Sequence, residues 1–118
     1  MAAILVVEDE ALLGLEIGEA LSEKGYDVIV VSNADDAINV LEARKDVCTI
    51  FTDVNMPGSM DGLKLAAAVR DRWPPVNIIV TTGMKAPRPD ELPAGSLFIS
   101  KPYHSADVLE AVRSFDAP

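Results

Sequence analysis

The sequence predicts an open, doubly wound α/β domain built on a five-stranded parallel sheet. Short apolar runs alternate with longer stretches in which apolar residues recur at helical spacing. The runs are hydrophobic at successive positions, which is typical of strands buried on both faces. Such strands, separated by helices, indicate a parallel sheet with helices on each side.

The first half of the chain contains two of these units. Residues 4–7 form the first apolar run, and a helical pattern follows, with Asp9 as its expected cap and Gly25 as its expected stop. Residues 28–31 form the second run, and Asn33 opens the second helix. This part therefore reads as strand, helix, strand, helix.

The second half continues the alternation with three more runs. The third run is 47–52 and leads to a helix over 61–72. The fourth and fifth runs are 76–81 and 97–99, and Ser105 is the expected cap of the last helix. We find no internal repeat and no linker, so residues 1–118 are expected to form a single domain.

The fourth helix is expected to be short or irregular. The segment that should contain it holds Pro87, Pro89 and Pro93. Proline in a helix interior costs about 3 kcal/mol because it removes a hydrogen bond and clashes with the preceding turn. We therefore expect a short helix over residues 89–92, or none.

Composition narrows the classes of function. Of the 118 residues, 49% are hydrophobic, enough for a real core, and the net charge of −9 argues against direct nucleic-acid binding. Cys48 is the only cysteine, which fits a reducing compartment. No apolar run approaches the roughly 20 residues of a membrane span, and the N-terminus lacks signal-peptide features. These points predict a cytoplasmic protein without membrane contact.

Polar residues follow four of the five predicted strands. Because the carboxyl ends of parallel strands meet at one edge of the sheet, we expect these side chains to lie together. They are Glu8, Asp9, Asp53, Asn55, Thr82 and Lys101.

The grouping suggests phosphoryl chemistry. Three clustered carboxylates repel one another, and a hard cation such as Mg²⁺ would relieve that repulsion. A carboxylate can also act as a nucleophile and form an aspartyl-phosphate. Lys101 would then supply positive charge to the phosphoryl oxygens, with the Thr82 hydroxyl as a further donor.

At this point the sequence resembles the response-regulator receiver domain of two-component signalling, a flavodoxin-like (βα)5 fold. The resemblance extends from Ile4 to Phe115. Its motifs are LVVEDE at 5–10, TDVNMP at 52–57, DGL at 61–63, IIVTTG at 78–83 and FISKPY at 98–103.

The resemblance implies an acceptor and a metal site. Asp53 would be the phosphorylated aspartate. Asp9 would bind Mg²⁺ directly and Glu8 through a water, while Asp53 and the Asn55 carbonyl would complete the protein ligands.

The resemblance also implies a switch. Thr82 would move toward the phosphoryl group, and Phe98 would be the rotating aromatic that reports the state. Lys101 would bind the phosphoryl oxygens, and the bond from Lys101 to Pro102 would be cis.

Three features depart from the family pattern. Glu8 stands where aspartate is commoner. The turn after Asp53 is one residue longer than usual, so the 56–62 loop is expected to bulge. The proline-rich segment before the fifth strand predicts an atypical output surface.

The resulting interpretation is a phosphorylation switch. A histidine kinase or histidine phosphotransfer protein would supply the phosphoryl group, and hydrolysis would remove it. The chain would not be a turnover enzyme. As a monomer or weak dimer, it would act through protein contacts, either alone or as a receiver excised from a larger chain.

Three alternatives use the same fold differently. An aspartyl-phosphate hydrolase would typically need a second acid for acid–base catalysis at the position of Asn55. A mononucleotide-binding module would need a phosphate-binding loop after the first strand. The residues at that place are Glu8, Asp9 and Glu10, whose negative charge is wrong for binding phosphate. A degenerate receiver that signals without phosphate is opposed by the intact acids and Lys101, but the altered fourth helix keeps it open.

Overall fold

Strands and helices alternate along the chain as the sequence predicts. The structure is a computed structural model that describes residues 3–55, 60–83 and 87–116. The strands are β1 (Ala3–Val7), β2 (Asp27–Val31), β3 (Val47–Asp53), β4 (Asn77–Thr82) and β5 (Leu97–Ser100). The helices are α1 (Ala11–Glu23), α2 (Ala34–Ala43), α3 (Gly62–Arg72) and α4 (Ser105–Ser114). In these described ranges no helix has both the length and the apolar character needed to cross a bilayer.

The strands form one parallel sheet in the order β2-β1-β3-β4-β5. The strand order reverses between β1 and β3, so the crevice at the carboxyl ends of these two strands is the expected ligand position. The predicted doubly wound five-stranded fold is confirmed.

Two apolar cores cover the two faces of the sheet, since side chains alternate between faces along each strand. One core joins α1 and α4 to the sheet through buried residues that include Ile4, Phe51, Ile17 and Val112. The other joins α2 and α3 to the opposite face through residues that include Leu5, Ile50, Leu41 and Leu65.

The two edge strands are less buried than predicted. β1 is buried throughout, and β3 and β4 nearly so, whereas β2 and β5 contain exposed and half-buried positions. The expectation that every run is buried on both faces is therefore wrong for β2 and β5. An edge strand has a neighbour on one side only, so its side chains are covered less completely.

Two helix starts differ from the sequence prediction. The N-cap of α1 is Glu10 rather than Asp9, and the N-cap of α4 is His104 rather than Ser105. In α1 the carboxylate of Glu8 accepts the hydrogen bond from the Glu10 N–H at 3.1 Å. The side chain of Glu8, which precedes the helix, therefore satisfies an amide at the helix start. The sequence pattern alone predicts this capping role for Asp9, the acid nearest to the start of the helical spacing.

The other predicted helix ends are found. The side chain of Asn33 accepts a hydrogen bond from the Asp36 N–H at 2.8 Å at the start of α2. Gly25 follows the last residues of α1 with φ of +97°, a backbone conformation that favours glycine and ends the helix.

A single 3-10 turn replaces the fourth helix in the described part of the segment between β4 and β5. It covers Pro89–Glu91, which confirms the expectation of a short or absent helix. Leu92 packs against the α2–α3 core and so covers part of the sheet face.

Gly62 anchors the loop after β3, whose expected bulge over 56–62 lies partly outside the described residues, at 56–59. The Gly62 N–H donates to the Val54 carbonyl at 2.9 Å. A Cβ atom at Gly62 would overlap the Asp53 carbonyl oxygen and come within 2.7 Å of the Val54 Cα. All of these neighbours are backbone atoms, so only glycine lets α3 begin against the end of β3.

We expect Gly62→Ala to lower the free energy of unfolding by about 2–3 kcal/mol or more, because backbone atoms of β3 must move to accommodate the methyl group. Urea denaturation measures this. Gly83→Ala is the matched control, because its Cβ would lie 3.4 Å from the flexible Lys101 side chain. Equal stability of the two variants would contradict the close packing of α3 on β3.

Candidate functional site

The carboxyl ends of the strands bring the predicted polar residues to one edge of the sheet. Glu8 and Asp9 directly follow β1, and Asp53 ends β3 beside it. Thr82 ends β4, and Lys101 directly follows β5. The parallel pairing places all of these ends on the same side, as the sequence predicts.

Asp53 lies at the centre of this group with only 3% of its surface exposed. Its Oδ2 accepts a hydrogen bond from the Lys101 ammonium at 2.7 Å. Its Oδ1 accepts one from the Asn55 backbone N–H at 3.1 Å. A lysine and a backbone amide therefore fix the orientation of this carboxylate.

Glu8 is almost completely buried, with 2% of its surface exposed. Its Oε1 accepts from the Glu10 N–H, whereas its Oε2 has no hydrogen-bond partner among the described residues. That oxygen lies 3.8 Å from the Lys101 ammonium. Burial and the neighbouring Asp53 charge raise the pKa of Glu8 to about 7, despite the opposing effects of the Glu10 amide and Lys101.

Asp9 completes the acidic cluster from a solvent-exposed position. One carboxylate oxygen each from Glu8, Asp9 and Asp53 lie within 4.8 Å of one another. Such oxygen ligands suit a hard divalent cation. The buried Oε2 of Glu8, which accepts no hydrogen bond from the described residues, is an oxygen that a cation would satisfy. The residues present thus fit a Mg²⁺ site.

Lys101 is the positive centre of the site. Its ammonium lies 2.7 Å from Asp53, 3.8 Å from Glu8 and 3.9 Å from Glu10. Burial works against its charge, but the hydrogen bond to Asp53 and the surrounding carboxylates outweigh burial and raise the pKa of Lys101. The peptide bond from Lys101 to Pro102 is cis.

Thr82 is buried beside these charges, and Phe98 stands apart from them. The Asn55 side-chain amide donates to the Thr82 hydroxyl at 2.9 Å. Phe98 is half-buried in β5 and pairs with Val80 of β4. Leu97 and Ile99 pack on the α1–α4 core, so Phe98 points to the opposite face of the sheet.

Tyr103 lies next to the site, although no sequence pattern predicted this. Its ring meets Phe51 edge-on at a centroid distance of 5.7 Å. Burial, and then the charges of Glu8 and Asp53, raise the pKa of its hydroxyl. Tyr103 also lines a cavity of about 360 Å³ with Leu13, Gly83, Lys101 and Pro102.

Glu10 and the Asn55 side chain were also missed as parts of the site. One sequence signal could have indicated Glu10, which is its place directly after the acid pair that follows the first strand. No sequence signal indicates that the Asn55 amide points to Thr82, because that depends on the direction of the side chain.

Comparison with known proteins identifies the same family as the motifs. Residues 4–113 match the family model of the response regulator receiver domain. The chain is 36% identical over 106 residues to the chemotaxis protein CheY1 of Helicobacter pylori, covering 85% of both chains. It is 32% identical over 114 residues to the response regulator protein FleR of Pseudomonas aeruginosa, covering 94% of this chain and 24% of FleR.

Several matched relatives are much longer than this chain, which spans 24% of FleR and 44% of TcrA from Mycobacterium tuberculosis. Among solved structures, the response regulator TrrA of Thermotoga maritima, crystallised with Mg²⁺ and BeF, is 27% identical. It superposes with a TM-score of 0.86, covering 97% of this chain and 98% of TrrA. A receiver domain from Methanospirillum hungatei reaches 0.87 at 23% identity and supports the fold.

We expect Glu8→Gln to stabilise the metal-free chain at high pH. The pKa of Glu8 is raised from 4.5 to about 7 in the folded chain, so the folded state binds this proton more tightly than the unfolded state. The stability that this proton binding contributes is complete below pH 4.5 and is lost as the pH rises through 7. Glutamine does not titrate. The advantage of the variant over the wild type in free energy of unfolding should be about 2–3 kcal/mol larger at pH 8 than near pH 5.

Urea unfolding in a chelating buffer at both pH values measures this difference. The control is Glu19→Gln on the exposed side of α1, which should change neither value. A Glu8→Gln variant that is less stable than the wild type at pH 8 would contradict the cost assigned to the buried charge.

Proposed function

Because the chain belongs to the response regulator receiver domain family, whose members are signalling modules rather than classical enzymes, we propose that it accepts a phosphoryl group on Asp53. The donor would be the phosphohistidine of a histidine kinase or histidine phosphotransfer protein. The observation that carries the proposal is the Asp53 carboxylate, buried and oriented by Lys101 within a cluster of acids. The modification would switch the protein contacts of the domain.

The proposed reaction makes a carboxylate oxygen of Asp53 the nucleophile. That oxygen forms a bond to phosphorus while the bond between phosphorus and the histidine nitrogen breaks, and the bonding electrons stay on the imidazole. The product is an acyl phosphate on Asp53. Attack by water on phosphorus returns the carboxylate and releases inorganic phosphate.

Lys101 and the backbone have defined roles in this proposal. The Lys101 ammonium already contacts Oδ2 of Asp53 and would bind the phosphoryl oxygens as charge develops on them. The Asn55 N–H holds Oδ1 and so fixes the plane of the carboxylate. Thr82 would donate its hydroxyl to the phosphoryl group, and Phe98 would change rotamer as Thr82 moves.

Glu8, Asp9, Asp53 and the Asn55 carbonyl would hold Mg²⁺. Bound there, the ion would neutralise the acids and the charge on the transferring group. The buried Oε2 of Glu8 supports this assignment, because it lacks a hydrogen-bond partner in the described part of the chain. The Thermotoga regulator TrrA was crystallised with Mg²⁺ and BeF.

The exposed face of α1 supports a protein donor. Leu12 is 79% exposed and Leu15 is 57% exposed, and both lie in the helix that starts directly after the acid pair. Glu16 and Glu19 flank them on the solvent side. A partner with apolar side chains and a basic rim would fit this face, and TrrA has been solved in complex with the histidine kinase ThkA.

We expect Asp53→Asn to abolish phosphorylation. The wild type, incubated with acetyl phosphate and Mg²⁺, should gain one phosphoryl mass by intact-protein mass spectrometry, whereas the amide is not a nucleophile and should gain none. The matched control is Asp36→Asn on the exposed side of α2, which should be phosphorylated like the wild type. A wild-type chain without mass gain under saturating donor would refute the proposed function.

We expect Leu12→Asp to separate donor docking from chemistry. It should slow phosphotransfer from the histidine kinase that phosphorylates the wild type fastest by tenfold or more, because a charge replaces an apolar contact. Phosphorylation by acetyl phosphate should be unchanged, since that donor needs no docking face. Ala67→Asp, on the exposed side of α3, is the control and should affect neither rate. Equal loss with both donors would show that Leu12 acts on the site itself.

A further inference from the structure

The Asn55 residue bridges two groups of the site. Its backbone N–H donates to Oδ1 of Asp53 at 3.1 Å, and its side-chain amide donates to the Thr82 hydroxyl at 2.9 Å. It therefore links the end of β3 to the end of β4 across the edge where the acids converge. The first contact orients the acceptor, and the second holds the hydroxyl.

The backbone of Thr82 is fixed, so its hydroxyl can move mainly by rotation of the side chain. Thr82 pairs with Ser100 of β5, and its carbonyl accepts from the Lys101 N–H at 3.1 Å. The residue is 2% exposed. Threonine is β-branched and occupies discrete staggered rotamers, so its hydroxyl occupies a few separate positions rather than a continuous range.

The observed rotamer is the one that brings the Thr82 hydroxyl to the Asn55 amide. Rotation to another staggered position carries the oxygen away from that amide and breaks the 2.9 Å hydrogen bond. The bond thus favours one hydroxyl position over the others.

We propose that the Asn55 side chain is a positioning residue that holds Thr82 in the rotamer of the unphosphorylated chain and thereby sets the free energy of the switch. The inference rests on the proposed function, in which the Thr82 hydroxyl turns to donate to the phosphoryl oxygens. The hydroxyl can accept from one group and donate to another at the same time, so hydrogen-bond capacity alone does not set the two contacts against each other. They compete because the rotation that carries the Thr82 oxygen toward the phosphoryl group carries it away from the Asn55 amide.

The size of the effect follows from the exposure of Asn55. A net hydrogen bond of ordinary strength changes an equilibrium by about two- to tenfold. Asn55 is solvent-exposed, so its amide regains water when the bond breaks, which keeps the expected change within that range. Asn55→Ala retains the backbone N–H and carbonyl and removes only the side-chain bond.

The test uses beryllium fluoride as the phosphoryl analogue at saturating Mg²⁺. Asn55→Ala should bind it about three- to tenfold more tightly than the wild type by calorimetric titration, because no bond to Asn55 opposes rotation of Thr82. In a Thr82→Ala background the same substitution should change affinity by less than twofold. The methyl resonance of Thr82 in Asn55→Ala should shift toward its position in the fluoride complex before any ligand is added.

Controls separate this inference from the proposed function. Asn39→Ala, on the exposed side of α2, should leave the affinity unchanged. Unchanged or weaker binding by Asn55→Ala, or an equal effect with and without the Thr82 hydroxyl, would overturn the positioning role while the wild type still binds the analogue. A wild type that binds no beryllium fluoride would instead refute the proposed function.

Discussion

The site depends on the close approach of three carboxylates beside one ammonium. Oxygens of Glu8, Asp9 and Asp53 lie within 4.8 Å of one another, and the first and third residues are buried. Burial in low dielectric makes such repulsion costly, and Lys101 relieves only part of it because its hydrogen bond goes to Asp53. Metal-free Glu8 therefore has a raised pKa and an oxygen without a hydrogen-bond partner in the described structure. Positive charge brought by a cation complements this arrangement, which links metal binding to the proposed chemistry.

The backbone holds this unfavourable cluster in place. The acids stand directly after β1 and at the end of β3, the most completely buried pair of strands, so the sheet fixes the positions of their backbones relative to one another. Gly62 lets α3 start against the backbone of Asp53, and the amides of Glu10 and Asn55 bind carboxylate oxygens. The apolar cores on both faces of the sheet stabilise the fold and offset the electrostatic cost of the charged edge.

Much of the fold and of the site could be predicted because it depends on periodicity and strand ends. The apolar runs predicted the strands and hence the parallel sheet. The polar residues at the ends of those runs predicted the site, and the structure brings their side chains together: Glu8, Asp9, Asp53, Thr82 and Lys101. The prolines predicted a short or absent fourth helix, and the described part of that segment contains a single 3-10 turn. The starts of α1 and α4 were wrong by one residue because they depend on local backbone angles and on which carboxylate reaches an amide. The contacts of Glu10, Tyr103 and the Asn55 amide depend on side-chain direction, which sequence patterns do not encode.

Under the proposed function, Asp53 receives the phosphoryl group within a metal site formed with Glu8 and Asp9. A crystal structure of the chain with Mg²⁺ and beryllium fluoride tests it most directly. We expect the fluoride adduct on an Asp53 carboxylate oxygen, the Lys101 ammonium in contact with it, and the cation bound by the acids after β1 and β3. An adduct on another residue, or a cation bound away from Asp9 and Asp53, would refute the proposed function.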